Sequence, residues 1–271
     1  MIAYTKISET IPDIDMDYNQ TVYNFLHYLK VIKNASVHTL RNYCLDLNQL
    51  KIFLEKELLQ LSLDQCSPAF SLENVGKECE KGKFFLSEID KRAIRDYLAY
   101  LNYRKVSKRT ILRHLSAIRS LFSYLVRQKI LASSPMDEID SPKLDKSLPR
   151  PLAYDQVERL FNQPEIRELF GFRDRCIMEL FYSSGLRISE LVGINREDFD
   201  FKKRCLKVRG KGKKERLIPI TQNVSKWIQE YLSHPERHEE GKPYKEKDSK
   251  AVFLNKWGKR LTVRSVDRLF K

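Results

Sequence analysis

No stretch of the chain approaches the roughly 20 consecutive apolar residues that a membrane-crossing helix needs, so no such helix is expected within it. The N-terminus, MIAYTKISETIPDIDMD, is polar and acidic rather than built like a secretion signal. The five cysteines, Cys44, Cys66, Cys79, Cys176 and Cys205, have no close-paired spacing and meet no cluster of histidines. Neither disulfides nor a zinc site is therefore expected. These absences point to a cytoplasmic protein with no membrane partner and no metal.

Acids are missing locally. Residues 91–129 hold 11 Lys or Arg and one acid, Asp96, and residues 202–216 hold nine basic residues against Glu215. Residues 1–146 carry 22 basic and 18 acidic side chains and residues 147–271 carry 28 and 18, so the net charge of +14 lies mostly in the second part. Two basic patches suit a polyanion gripped from two sides. The plainer alternative for either run is a solvated helix face.

Apolar periodicity predicts four helices in the first part. Tyr18–Ile32 places Val22, Phe25, Leu26 and Leu29 on one face, and Asn34-Ala35-Ser36 breaks it and caps a second helix carrying Leu40, Tyr43, Leu47, Leu50 and Leu54. Thr39, Arg41 and Asn42 fall near the start of that helix. Residues 60–84 have weak periodicity and are expected to form an extended loop. A third helix is predicted over Ser87–Tyr103, entered by Ser87 with Asp90 at capping-box distance. A fourth, Ser107–Lys129, buries Ile111, Leu115, Ile118, Phe122 and Leu125 and turns Arg109, Arg113, Ser116, Ser120, Ser123 and Arg127 outward. Small hydroxyls interleaved with guanidinium groups let a phosphate backbone come close.

Four of the ten prolines, at 135, 142, 149 and 151, fall between Ser133 and Pro151 with no apolar period, which reads as a linker. Beyond it, helices are predicted on Val157, Leu160 and Phe161, over Arg173–Ser183, and over Thr221–Leu232 with Val224, Ile228 and Leu232 inward. Ala251–Asn255 reads as a short strand, and Thr262 caps a last helix, Val263–Phe270. Two domains on a flexible connector follow.

The most informative stretch is SSGLRISELVGI, Ser183–Ile194, followed by VRGKGKKERLIPI, Val208–Ile220. Gly185 is placed to end a helix in a left-handed turn, with Ser183 or Ser184 helping to open the next. Arg187 then falls in a first helical turn, where free N–H groups favour an anion. After the acidic connector EDFDF comes a basic hairpin that turns on Gly210-Lys211-Gly212-Lys213-Lys214.

Arg187 and Lys211, in this order and spacing, together with Gly-Leu-Arg-Ile-Ser-Glu-Leu at 185–191, Gly-Lys-Gly-x-Lys-Glu-Arg at 210–216 and SPKLDKSLPRPLAYDQVERLF at 141–161, resemble the tyrosine recombinase (phage integrase) family, most closely its bacterial Xer branch. The resemblance implies a mainly α fold with a small β-hairpin or sheet, arranged as a two-domain C-shaped clamp. Residues 15–132 would form a four-helix core-binding domain with the 60–84 insert, 133–151 the linker, and 152–271 an α+β catalytic domain. The family pattern continues with a His-x-x-Arg helix, a second His or Trp and a nucleophilic Tyr near the C-terminus. None of these is placed before Lys271, so the resemblance implies a chain truncated at its C-terminus and inactive alone. His234-Pro235-Glu236-Arg237 spells His-x-x-Arg, but it reads as a solvated loop after the helix ending at Leu232, and Tyr231 and Tyr244 beside it lack the neighbours of a nucleophile.

The implied chemistry is DNA strand exchange through a 3′-phosphotyrosyl link, which conserves bond energy and needs no cofactor or metal. Arg187 would stabilise charge on the non-bridging oxygens. Glu190, three residues on, would orient it or be merely structural. Lys211 would protonate the departing 5′ oxygen, its pKa lowered by Arg209, Lys213 and Lys214, which are equally candidates for phosphate contact. Thr39, Arg41, Asn42, Arg109, Arg113, Ser116 and Ser120 are the other candidate DNA contacts. The implied partners are a double-stranded recombination site and a second Xer-type recombinase in a tetramer, the implied role resolution of chromosome dimers at cell division. A mobile-element integrase and a non-catalytic DNA-binding regulator built on this fold are the alternatives.

Overall fold

The computed structural model describes residues 16–57, 59–77, 82–144, 151–210, 214–241, 245 and 247–270. The chain divides into two compact units, Met1–Ser147 and Leu148–Lys271. Each has its own apolar core.

The first unit is built on α1 (Tyr18–Val31), α2 (Val37–Glu57), α3 (Lys91–Tyr103) and α4 (Lys108–Arg127). The stripe on α4 is buried as its period demands, with Leu115, Ile118, Phe122 and Leu125 wholly inaccessible. Ser107 caps α4 by accepting the Thr110 N–H at 3.3 Å. The entry to α3 differs from expectation: Ser87 lies in a short 3₁₀ turn, Leu86–Glu88, and Asp90 is the cap, accepting the Ala93 N–H at 2.7 Å. The Asp90 carboxylate stands directly before the first helical turn, where the free N–H groups need an acceptor.

The segment expected to be an extended loop, 60–84, is fastened to the core over its described residues. Phe70 and Phe84 are buried, and Phe84 stacks on Tyr18 with ring centroids 4.8 Å apart. On α2 the buried Lys51 ammonium donates to the carbonyls of Ser67 and Pro68, and Glu55, one turn on, accepts the Ser67 N–H at 3.0 Å. Two buried charged side chains that bind loop backbone give the segment a fixed path without an apolar period.

The second unit runs α5 (Tyr154–Phe161), α6 (Leu169–Ser184), α7 (Ile188–Gly193), β1 (Phe199–Asp200), β2 (Cys205–Arg209), β3 (Glu215–Pro219), α8 (Gln222–Leu232), α9 (Pro235–His238) and α10 (Val263–Leu269). The strands form one antiparallel sheet in the order β1-β2-β3, with Leu206 opposite Ile218 and Val208 opposite Arg216. Helix α5 carries the expected Val157, Leu160 and Phe161, but none of its residues is fully buried.

Two expectations fail here for one reason. Ala251–Asn255 forms only isolated bridges, Asn195 to Ala251 and Leu254 to Arg260. Its carbonyls are satisfied by guanidinium groups instead: Arg237 donates to Val252 O at 2.7 Å and Ala251 O at 2.9 Å, and Arg173 to Leu254 O at 2.8 Å. Arg237 is thus 0 % exposed and packs on the Tyr231 ring, so His234–Arg237 is a structural turn rather than a solvated loop.

Candidate active site

Helix α6 ends where Gly185 takes a left-handed backbone, φ 59° and ψ 32°, and its N–H returns to Phe181 O at 2.9 Å. No atom lies within 4 Å of where a Cβ would sit, so the glycine is needed for its backbone conformation and not for space. The two serines before it do not open the next helix. Ser183 Oγ donates back to Glu179 O at 2.8 Å and Ser184 Oγ to Leu180 O. After the buried Leu186 the chain turns into α7 with Arg187 as its N-cap residue, one position before the expected first turn.

Glu190 organises this end of α7. Its Oε2 accepts the Arg187 N–H at 2.9 Å, so that backbone group is not free for an anion as the sequence had suggested. Its Oε1 accepts from the Arg187 guanidinium at 3.0 Å. From β3, Arg216 reaches both oxygens, Nη1 to Oε1 at 2.7 Å and Nη2 to Oε2 at 2.9 Å. The Arg216 hydrogen bonds, with those from Arg187, outweigh burial and hold the carboxyl down to about 2. The Glu190 side chain is 2 % exposed while that of Arg187 is 72 % exposed. A buried acid thus anchors a guanidinium that presents its remaining donors to the surface.

The hairpin begins against this cluster. A Cβ on Gly210 would lie 3.4 Å from both Glu190 Oε1 and Arg216 Nη1, and the Gly210 N–H bonds to Lys214 O at 2.8 Å across the turn. Lys211 and Lys213 lie outside the described residues; Lys214 is exposed. Arg209 is not a loose cation beside the tip. Its guanidinium is bound to the buried Asp198 at 2.9 and 3.1 Å and to Glu215 at 3.2 Å, so its charge is largely compensated.

In the first unit, Arg41, Asn42, Arg109 and Ser116 are exposed, Ser120 is half-buried, and Thr39 is half-buried in the α2 cap, hydroxyl to hydroxyl with Ser36 at 2.9 Å. Arg113 departs from the outward face expected of it. It lies 2.6 Å from the buried Asp46 of α2, which also faces His114 at 3.4 Å, and His114 Nδ1 meets the Tyr97 hydroxyl at 3.0 Å. A carboxylate with 1 % exposure needs a cation, and Arg113 is the one in reach.

Arg216 stands in the hairpin motif, and nothing in the motif itself assigns it a role. The signal for it is its register: it pairs with Val208, whose side chain is buried, which puts Arg216 on the sheet face toward α7 and within reach of Glu190. Tyr231 is unsuited to attack a phosphate, being 1 % exposed, with its hydroxyl accepting the Leu254 N–H at 3.3 Å and its pKa raised by burial.

The pattern of the phage integrase family matches residues 150–271, and that of the phage integrase N-terminal SAM-like domain matches 22–73 and 69–129. The chain belongs to the phage integrase family. Among tyrosine recombinases it is 48% identical over 251 residues to the tyrosine recombinase XerC of Chlamydia pneumoniae, covering 93% of this chain and 77% of that protein. The XerC of Syntrophus aciditrophicus is 37% identical, with 93% and 76% covered. The fold is shared with the XerH site-specific recombinase bound to a palindromic difH substrate (TM-score 0.61, 19% identity, 96% of this chain and 80% of that one). It is shared also with the lambda integrase tetramer bound to a Holliday junction (TM-score 0.60, 14% identity, 94% and 64%). Tyrosine recombination is therefore the chemistry of the family to which this site belongs. Among the described residues no helix is long and apolar enough to cross a membrane.

Proposed function

We propose that this tyrosine recombinase is a cytoplasmic, Xer-type enzyme that cuts and rejoins DNA at a specific site to resolve chromosome dimers at cell division. The observation that carries the reading is the exposed Arg187 guanidinium anchored from below by the buried Glu190, which the partly exposed Arg216 also grips, at the root of the basic hairpin. The relatives named XerC support the Xer assignment. The domain division is 15–132 for gripping DNA, 133–151 as linker and 152–271 for chemistry.

In the proposed reaction a tyrosine oxygen attacks the scissile phosphorus, the P–O5′ bond breaks, and a 3′-phosphotyrosyl link forms. Arg187 donates to the non-bridging oxygens, where charge grows as the phosphorus becomes pentacoordinate. Glu190 and Arg216 fix its direction. Lys211 gives its proton to the leaving 5′ oxygen. Thr39, Arg41, Asn42, Arg109, Ser116, Ser120, Lys213 and Lys214 contact backbone phosphates, Arg113 serves chiefly as the partner of the buried Asp46, and Arg209 braces β2 through Asp198 and Glu215. The assembly is a tetramer on DNA with a second Xer-type recombinase, as solved structures of the fold contain DNA-bound dimers and tetramers.

The test is a duplex carrying a genomic segment selected by binding, nicked so that the fragment released on cleavage diffuses away. The recombinase should be trapped on it through a denaturation-resistant bond, and DNA lacking the segment should trap none. Binding without trapping by the full-length protein would instead mark a DNA-binding regulator.

A further inference from the structure

Helix α7 has six residues, about 9 Å of helix, too short to persist by its own hydrogen bonds. Its N-terminal end is fixed by Glu190. Its other end leaves backbone carbonyls without partners in the helix, and there the Arg260 guanidinium is bound. Nη1 donates to Val192 O at 3.1 Å and Ile194 O at 3.0 Å, Nη2 to Asn195 Oδ1 at 2.7 Å, and Nε to Asp248 Oδ2 at 3.1 Å. Every edge of the guanidinium is thus committed to the exit of α7 or to Asp248. Asp248 is itself tied to the segment behind, accepting the Lys250 N–H at 3.1 Å and the Ala251 N–H at 3.0 Å. Two backbone bonds join that segment to the same exit, Arg196 N–H to Lys250 O at 2.9 Å and Val252 N–H to Ile194 O at 3.4 Å.

We propose that Arg260 is a positioning residue for Arg187: by tying the C-terminal carbonyls of α7 to the 248–252 segment, it sets the position of the helix whose N-cap presents a guanidinium to the scissile phosphate. This rests on the role proposed above for Arg187. The cation also complements the negative end of the helix dipole. A rigid six-residue helix passes any shift at its exit on to its entrance, and a displacement near 1 Å in a reacting group costs about a hundredfold in rate. Arg260 lies 73 positions from Arg187 in sequence, and nothing in the hairpin or helix motifs points to it.

The experiment uses the full-length recombinase and single-turnover cleavage at saturating protein, where misfolded molecules lower the amplitude and not the rate constant. Two substrates are compared, the normal phosphodiester and one with a methyl group in place of a non-bridging oxygen, which removes the charge that Arg187 neutralises. Arg260→Ala should cleave the normal substrate about ten- to a hundredfold more slowly with unchanged DNA affinity. Arg260→Lys, which keeps a cationic donor near the carbonyls, should recover part of that loss. On the methyl substrate the defects of Arg260→Ala and Arg187→Ala should shrink together. Should Arg260→Ala fail to fold, Arg260→Lys is read against the same outcomes. Cleavage within twofold of the parent, or an equal defect on both substrates, overturns the positioning role. Full-rate cleavage by Arg187→Ala overturns the reading of the site itself.

Discussion

Glu190 grips Arg216 through both carboxylate oxygens, at 2.7 and 2.9 Å, and spends the same two oxygens on the side chain and backbone of Arg187. Two guanidinium groups and one carboxylate leave a net positive charge with Arg187 on the exposed side. The two-point contact demands the planar fork of an arginine, which a lysine cannot reproduce. The pair also joins β3 to α7, so the hairpin that carries Lys211 and the helix that carries Arg187 share one anchor.

Glu190→Gln should therefore destabilise the second unit by about 2 kcal/mol at neutral pH, since charge-assisted hydrogen bonds are lost and an amide N–H₂ meets guanidinium donors. The folded-state carboxyl titrates at about 2 against an ordinary 4.5, so its stabilisation is complete above 4.5 and is lost as pH falls toward 2. Urea unfolding of parent and variant between pH 7 and pH 2.5 should show the gap closing below about pH 4.5. A gap independent of pH would mean that the carboxylate charge is not what holds the cluster.

Asp46 and His114 should cancel each other in the first unit. Burial raises the Asp46 carboxyl to about 6 and lowers the His114 imidazole to about 4. The unfolded Asp ionises first as pH rises from about 4, so Asp46 costs stability between 4 and 6. The unfolded His gains its proton first as pH falls from about 6.5, so His114 costs stability in the opposite direction across the same window. Amide exchange in α2 and α4 should be nearly flat from pH 4 to 6.5 after correction for intrinsic rates. In Asp46→Asn only the His114 contribution remains, and protection should fall as pH drops below 6.5. A flat profile in the variant would contradict the assignment.

Arg109 and Arg113 should behave differently on DNA although both lie on α4. Arg109 is exposed, and Arg109→Ala should lower affinity and reduce the slope of log affinity against log salt by about 0.9, one counterion site. Arg113 is held by the buried Asp46, so Arg113→Ala should lower the melting temperature of the first unit and change the slope by less. Equal slope changes would place Arg113 on the phosphate backbone despite its ion pair.

The strongest periodic elements were legible in the sequence because the core decides them. The α4 stripe, the Thr262 cap and the hairpin flanking Gly210–Lys214 are legible from residue type and spacing. What stayed hidden was set by pairings between distant residues. Arg237 and Arg173 take carbonyls that a strand at 251–255 would have used, Asp46 draws in an arginine that helical spacing places outward, and Lys51 fastens a segment with no period of its own. Arg187 and Glu190 were found by motif. Arg216 was visible only once the hairpin register put it opposite Val208.

The division of labour between Arg187 and Lys211 is tested most directly by cleavage of a substrate whose bridging 5′ oxygen is replaced by sulfur, using the full-length recombinase. A thiolate leaves without a proton, so Lys211→Ala, slow on the normal phosphodiester, should recover to near the parent rate on the sulfur substrate. Arg187→Ala should lose on the order of a hundredfold or more on both substrates, as removal of one preorganised donor does elsewhere, with DNA affinity barely changed. Rescue of both variants, or of neither, would contradict the account and leave Lys211 as an ordinary phosphate contact.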